Sequence, residues 1–163
     1  MTETIQLQGS FAACVESNFS FTGHGLVIKF PGLRLGEEYT ASFKPDHKGQ
    51  LSYIDGCSNT NLISPPRNGD PCVNYLYFPK NITQSRHTHP SVRIAYVMSG
   101  QGIASLDDQD LELKQGDAFI LDRHVIHGFN TSNSSMSLVV FHPDSEDGPR
   151  DEFNPMKSRT YIR

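Results

Sequence analysis

The chain is predicted to be all-β. Runs of three to seven β-favouring residues recur between Gly, Pro, Asn and Asp, while helical periodicity is nearly absent. Taken in order, each run has its own punctuation. Phe11–Val15 follows Gly9, Gly25–Phe30 stops at Pro31-Gly32, and Glu38–Phe43 runs from Gly36 to Pro45. Leu51–Ile54 ends at the turn signal Asp55-Gly56, and Val73–Phe78 is held between Pro71 and Pro79. Ser85–His89 ends at Pro90 and Arg93–Ser99 at Gly100, after which Gly102–Leu106 closes at Asp107-Asp108. Asp110–Leu113 precedes Gly116-Asp117, which opens Ala118–Leu121; His127–Phe129 stops at Asn130 and Ser137–His142 at Pro143. A dozen short strands with turns about every eight to twelve residues suit a sandwich or a barrel.

Three segments depart from this rhythm, of which the shortest, Asn81–Thr83, reads as a tight turn. Gly56–Pro71 contains three Pro, two Gly and four Asn or Asp, so residues 56–71 are expected to form a long surface loop of the kind that covers a site. The polar tail 143–163, with Pro143, Pro149 and Pro155, is expected to wrap the body. At 163 residues the whole chain, 1–163, is expected to be a single domain with extra N-terminal strands in residues 1–55.

Composition narrows the function classes. The net charge is −4 and no basic block is present, which argues against nucleic acid and against an anionic membrane surface. No run approaches the roughly 18 apolar residues that span a bilayer, and Met1 to Gln8 has polar turns where a signal peptide would place its hydrophobic core, so a cytoplasmic protein is expected. Cys14, Cys57 and Cys72 are odd in number and lack a Cys-x-x-Cys spacing, and so read as reduced thiols. More unusual are seven His beside no Trp.

Their spacing carries the chemistry. His87 and His89 stand two apart, so on a strand both project from one face toward one ion. A second block, Gly116 to His127, runs from a Gly-Asp turn through an apolar strand and a polar reversal to another His. Together the blocks resemble the cupin superfamily, whose first motif has the form G-x5-H-x-H-x(3–4)-E-x6-G and whose second is G-x5-P-x-G-x2-H-x3-N. The match holds at His87, His89, Gly100, Gly116 and His127 and extends over about residues 74–142. Asn81 replaces the leading Gly, Asp122 and His124 replace the Pro and Gly of the second motif, and Thr131 stands at its final Asn. Arg93 occupies the position of the metal-binding Glu.

The resemblance implies a double-stranded β-helix, the jelly-roll barrel of cupins, with a divalent metal held by His87, His89 and His127. Three imidazoles leave coordination positions open, as a catalytic metal needs. Imidazole does not choose among metals; the resemblance favours Fe(II), with Mn, Ni, Cu or Zn as alternatives. In that alignment Arg93 faces inward to hold a substrate carboxylate, or else pairs with an acidic side chain of the protein or points to solvent at the rim. His142 is either an acid or base lining the pocket or a His at the barrel edge. Tyr75 and Tyr77 share a face that lines the cavity or fills the core; a hydroxyl at Tyr77 in the pocket would donate a proton. His124 reads as exposed, and His24 and His47 carry no signal.

The expected function is a metal-dependent oxidoreductase of the dioxygenase kind acting on a small anionic or chelating substrate. Its alternatives are a non-catalytic sensor cupin and an isomerase or lyase acting on a sugar acid. A homodimer is expected, because small jelly rolls expose sheet edges.

Overall fold

The computed structural model describes residues 9–14, 20, 22–30, 39–64, 70–143 and 161. Among them stand ten strands, one short 3-10 turn at Ile54–Gly56 and no α-helix. The strands are β1 (Ser10–Cys14), β2 (Tyr39–Phe43), β3 (Leu51–Ser52), β4 (Ser58–Ile63), β5 (Cys72–Phe78), β6 (Arg93–Ser105), β7 (Asp110–Lys114), β8 (Ala118–Leu121), β9 (Gly128–Asn130) and β10 (Met136–His142). The end of the first expected strand at Val15, the start of the third at Glu38, loop residues 65–69 and most of the tail lie outside the described residues.

β1 and β2 form a two-stranded antiparallel ribbon. The other eight strands connect in the order β3-β4-β5-β10-β6-β7, with β8 and β9 also paired to β6. The thirteen-residue β6 joins two sheets into a jelly roll. Its first part lies between β10 and β8, and its second, Gln101–Ser105, pairs with β7 and β9. The change of sheet occurs at Gly100, where φ is +72° and a Cβ would stand 1.8 Å from the Ser135 carbonyl oxygen. The break expected between Ser99 and Gly102 is therefore a bend. A register shift at Ser137/Leu138 redirects the strand while its ladder continues.

Three other expectations are corrected. The loop expected over 56–71 contains β4, whose backbone pairs with β5 from Ser58↔Tyr77 to Ile63↔Val73. Gly25–Phe30 is not in a strand: Leu26 and Val27 are exposed, and β-propensity stabilises a strand only where a pleated surface is covered. Ser85–His89 contributes only a single antiparallel bridge, His87 to His127.

Phe78, Val97, Met136 and Leu138 are fully buried between the sheets, and Phe78 meets Phe129 at 5.1 Å between ring centroids. Each such side chain contributes about 1.5–3 kcal/mol through burial. The other face of β5 is covered too. Tyr75 is 2% exposed, packs on Phe43, and places its hydroxyl 2.7 Å from the Pro45 and His47 carbonyl oxygens. Among the described residues no helix is long and apolar enough to cross a membrane.

Candidate metal centre

The three motif histidines come together. His87 and His127 exchange both backbone hydrogen bonds at 2.9 Å, which makes them direct cross-strand neighbours. Their ring centroids are 4.6 Å apart, and His89 lies 5.0 Å from His87 and 5.2 Å from His127. One ring nitrogen from each falls within 4.8 Å of the others.

Backbone carbonyls orient two of the rings in the same way. Nδ1 of His87 donates to the Ser85 carbonyl and Nδ1 of His127 to the Val125 carbonyl, each at 2.9 Å and each two residues back. Both Nε2 lone pairs are thereby left for an ion. Burial pushes His89 and His127 down to about 4, the positive charge of Arg93 acting in the same direction, and burial lowers His87 as well. All three imidazoles are neutral at pH 7, the form that binds metal. The donor set fits a divalent ion.

The turns that present these ligands explain the motif's departures. Asn81, Gly100, Gly116 and His124 have φ of 59°, 72°, 95° and 62°. The motif thus asks for a left-handed backbone at four places, and Asn and His are among the side chains that tolerate it. At the position of the second motif's Pro, Asp122 closes the reversal by accepting the Val125 amide on its carbonyl at 3.3 Å. Thr131, at the motif's Asn, accepts the Ile82 amide on its hydroxyl at 3.1 Å and donates to the Pro79 carbonyl, fastening the turn before His87.

A cavity of about 350 Å³ opens on the three histidines. Arg93 lines it, only 5% exposed, with Nη1 donating to the Ser91 carbonyl and hydroxyl at 2.9 and 2.6 Å. His142 also lines it, buried, with Nε2 3.0 Å from the Asn74 side-chain amide. Tyr77 does not. The strand alternates, so Asn74, Leu76 and Phe78 face the cavity and Tyr75 and Tyr77 the opposite side, which corrects the proton donor expected at Tyr77. His124 is exposed in the reversal before His127, as expected.

Tyr53, Asn59, Asn61 and Gln84 are cavity residues that the spacing of motifs did not reveal. Tyr53 precedes the 3-10 turn, and its hydroxyl is 3.3 Å from Nε2 of His87. With Nδ1 of His87 already donating, that hydroxyl is the donor. The thiol of Cys57 is buried in the core and pushed up to about 11, chiefly by burial, so it is no nucleophile at pH 7.

Comparison with known proteins agrees with this fold. The model of the cupin domain family matches residues 75–142. The chain carries a cupin domain. Similar solved folds include a cupin-like protein from Thermotoga maritima, 19% identical over 66% of this chain and 84% of that one, with a TM-score of 0.55. The polyketide cyclase RemF from Streptomyces resistomycificus is 22% identical over 64% and 76%, with a TM-score of 0.53. An RmlC-like cupin from Shewanella frigidimarina is 24% identical over 60% and 85%, with a TM-score of 0.51. No curated protein matches by sequence. At these identities the likeness concerns the cupin fold.

Proposed function

We propose that this cupin is a mononuclear metal-dependent enzyme that oxidises a small anionic substrate in the manner of a dioxygenase, with Fe(II) as its metal. The observation that carries the reading is the convergence of three neutral imidazoles, two with fixed tautomers, on a cavity they share with Arg93. A divalent ion there supplies open coordination positions, Lewis acidity and, as iron, the capacity to activate dioxygen. Three neutral ligands leave its full charge in place, and Arg93 adds to it. The pocket is positive within a chain of net charge −4, which favours an anionic ligand.

In this reading Arg93 takes the substrate carboxylate through its guanidinium, while its Nη1 contacts to Ser91 hold it in place. Phe119 and Phe129 on the cavity lining exclude water from the bound substrate. His142, oriented by Asn74, holds or moves a proton at Nδ1.

A second reading, an isomerase or lyase acting on a hydroxylated acid, is favoured by the polar side of the cavity. Asn59, Asn61 and Asn74 offer donors and acceptors suited to hydroxyl groups. Metal analysis of the purified protein, followed by oxygen-uptake measurements with small carboxylates, separates the two. Iron with oxygen consumption is expected. Zinc, nickel or manganese with substrate turnover and no oxygen uptake would establish the second reading, and failure to retain Fe(II) or any other divalent ion would overturn both.

A further inference from the structure

Tyr53 reaches the ion-binding face of His87 from outside both histidine motifs. Its hydroxyl contacts Nε2, the nitrogen that His87 has left for a metal, and not the nitrogen bound to Ser85. The ring stands edge-on to His87 at 80°, with centroids 6.2 Å apart. A hydroxyl held at 3.3 Å from a ligand nitrogen matches a known length. For metal–ligand distances of about 2.0–2.1 Å, neighbouring ligands of one ion stand about 2.8–3.4 Å apart across the angles from octahedral to tetrahedral.

The hydroxyl is also fixed in place. The Tyr53 amide donates to the Cys57 carbonyl at 2.9 Å, and the Cys57 amide returns to Ile54 at 3.1 Å, closing the turn that carries Tyr53. Asp55 in that turn accepts the Ser85 amide at 2.6 Å, and the Ser85 carbonyl is the acceptor for His87. One residue, Ser85, therefore ties the turn bearing the phenol to the ring bearing the ligand nitrogen. Such shared anchoring sets both donors before an ion arrives.

We propose that Tyr53 is a fourth protein ligand, its phenolic oxygen binding the same ion as His87, His89 and His127. The cupin centre is then a three-His, one-Tyr site, with the oxygen ligand supplied by the segment before β4 while Arg93 stands at the motif's Glu. A six-coordinate ion would keep two positions open, and the charge left after one is offset by the phenolate would, with Arg93, keep the pocket positive. Binding releases the phenolic proton to solvent. The inference rests on the metal-site reading, and the experiment keeps the two apart.

Ferric iron is the probe, because a phenolate bound to it gives a visible charge-transfer band and tyrosinate modes in resonance Raman spectra. Wild-type protein loaded with one equivalent of Fe(III) is expected to show both. Tyr53→Phe is expected to bind one equivalent without the band and to hold Zn²⁺ at least about 10-fold more weakly, with circular dichroism and melting temperature reporting its fold. Stoichiometric iron without tyrosinate signals in the wild type would overturn the proposal and leave the three-His site standing, as would a Tyr53→Phe protein that keeps the band. Failure of the wild type to bind either Fe(III) or Zn²⁺ would overturn the metal reading itself, and this proposal with it.

Discussion

The cavity has two walls built on different principles. On one, His87 and His127 are set opposite each other by reciprocal backbone hydrogen bonds, and each ring is pinned by the carbonyl two residues before it. On the other, the polar residues come from four strands: Asn61 opposite Asn74 across β4–β5, His142 on β10, and Arg93 on β6. The first wall depends on local backbone geometry and presents unprotonated ring nitrogens to an ion. The second depends on strand register and presents amides, an imidazole and a guanidinium. Metal affinity and substrate preference are therefore separable properties, and substitutions on one wall should leave the other working.

The largest effect is expected from His127→Ala. It removes one of three histidine ligands whose arrangement the backbone maintains, so affinity for Zn²⁺ or Fe(II) should fall by more than about 100-fold, beyond the loss typical of outer partners. Equilibrium dialysis with metal analysis measures this. Retention of wild-type affinity would mean that the histidine wall is not the metal site.

Arg93→Ala tests the boundary between the walls. Loss of a charged hydrogen-bonding partner worth about 1.5–3 kcal/mol should raise KM for a carboxylate substrate by about 10- to 150-fold, with bound metal unchanged. A fall in metal content equal to that of His127→Ala would join the two walls into one unit.

The histidine wall was largely legible in the sequence, and the polar wall was not. The i, i+2 spacing of His87 and His89 and the distance to His127 identified three side chains that meet. Asn81 and His124 looked like departures from the motif, yet both keep the left-handed backbone that Gly provides in it, because short polar and imidazole side chains tolerate that conformation. The polar wall hid in β4. Asn59 and Asn61 line the polar side of the cavity, so Ser58–Ile63 shows asparagines where strand periodicity looks for apolar residues and reads as a loop. The face of Tyr75 and Tyr77 stayed open for a related reason: β5 is covered on both faces, so alternation alone did not say which face was the cavity. Tyr53 had no signal at all, since its contact with His87 is made by folding across 34 positions.

Acid should act on the histidine wall of the metal-free protein. Burial depresses His89 and His127 to about 4 in the fold, whereas unfolded imidazole titrates near its ordinary value of 6.5. Between those values the unfolded chain binds more protons, so stability is present above about 6.5 and is lost as the pH falls toward 4. The melting temperature of metal-free protein should decline across that interval, and bound Zn²⁺ should oppose the decline by holding the imidazoles neutral. A metal-free melting temperature that stayed level from pH 6.5 to 4 would contradict neutral burial of these rings.

The smallest effect is expected from Asn74→Ala. The Asn74 amide donates to Nε2 of His142 at 3.0 Å and thereby keeps the imidazole proton on Nδ1. Its loss removes one neutral hydrogen bond, worth about 1 kcal/mol, or about 5-fold in KM. Because Asn74 lies on β5 while the metal histidines are anchored through Ser85 and Val125, metal content should be unaffected. Steady-state kinetics beside metal analysis decides the point. A metal affinity that falls along with KM would show that the histidine wall depends on the register of β4, β5 and β10 as well as on its own carbonyls.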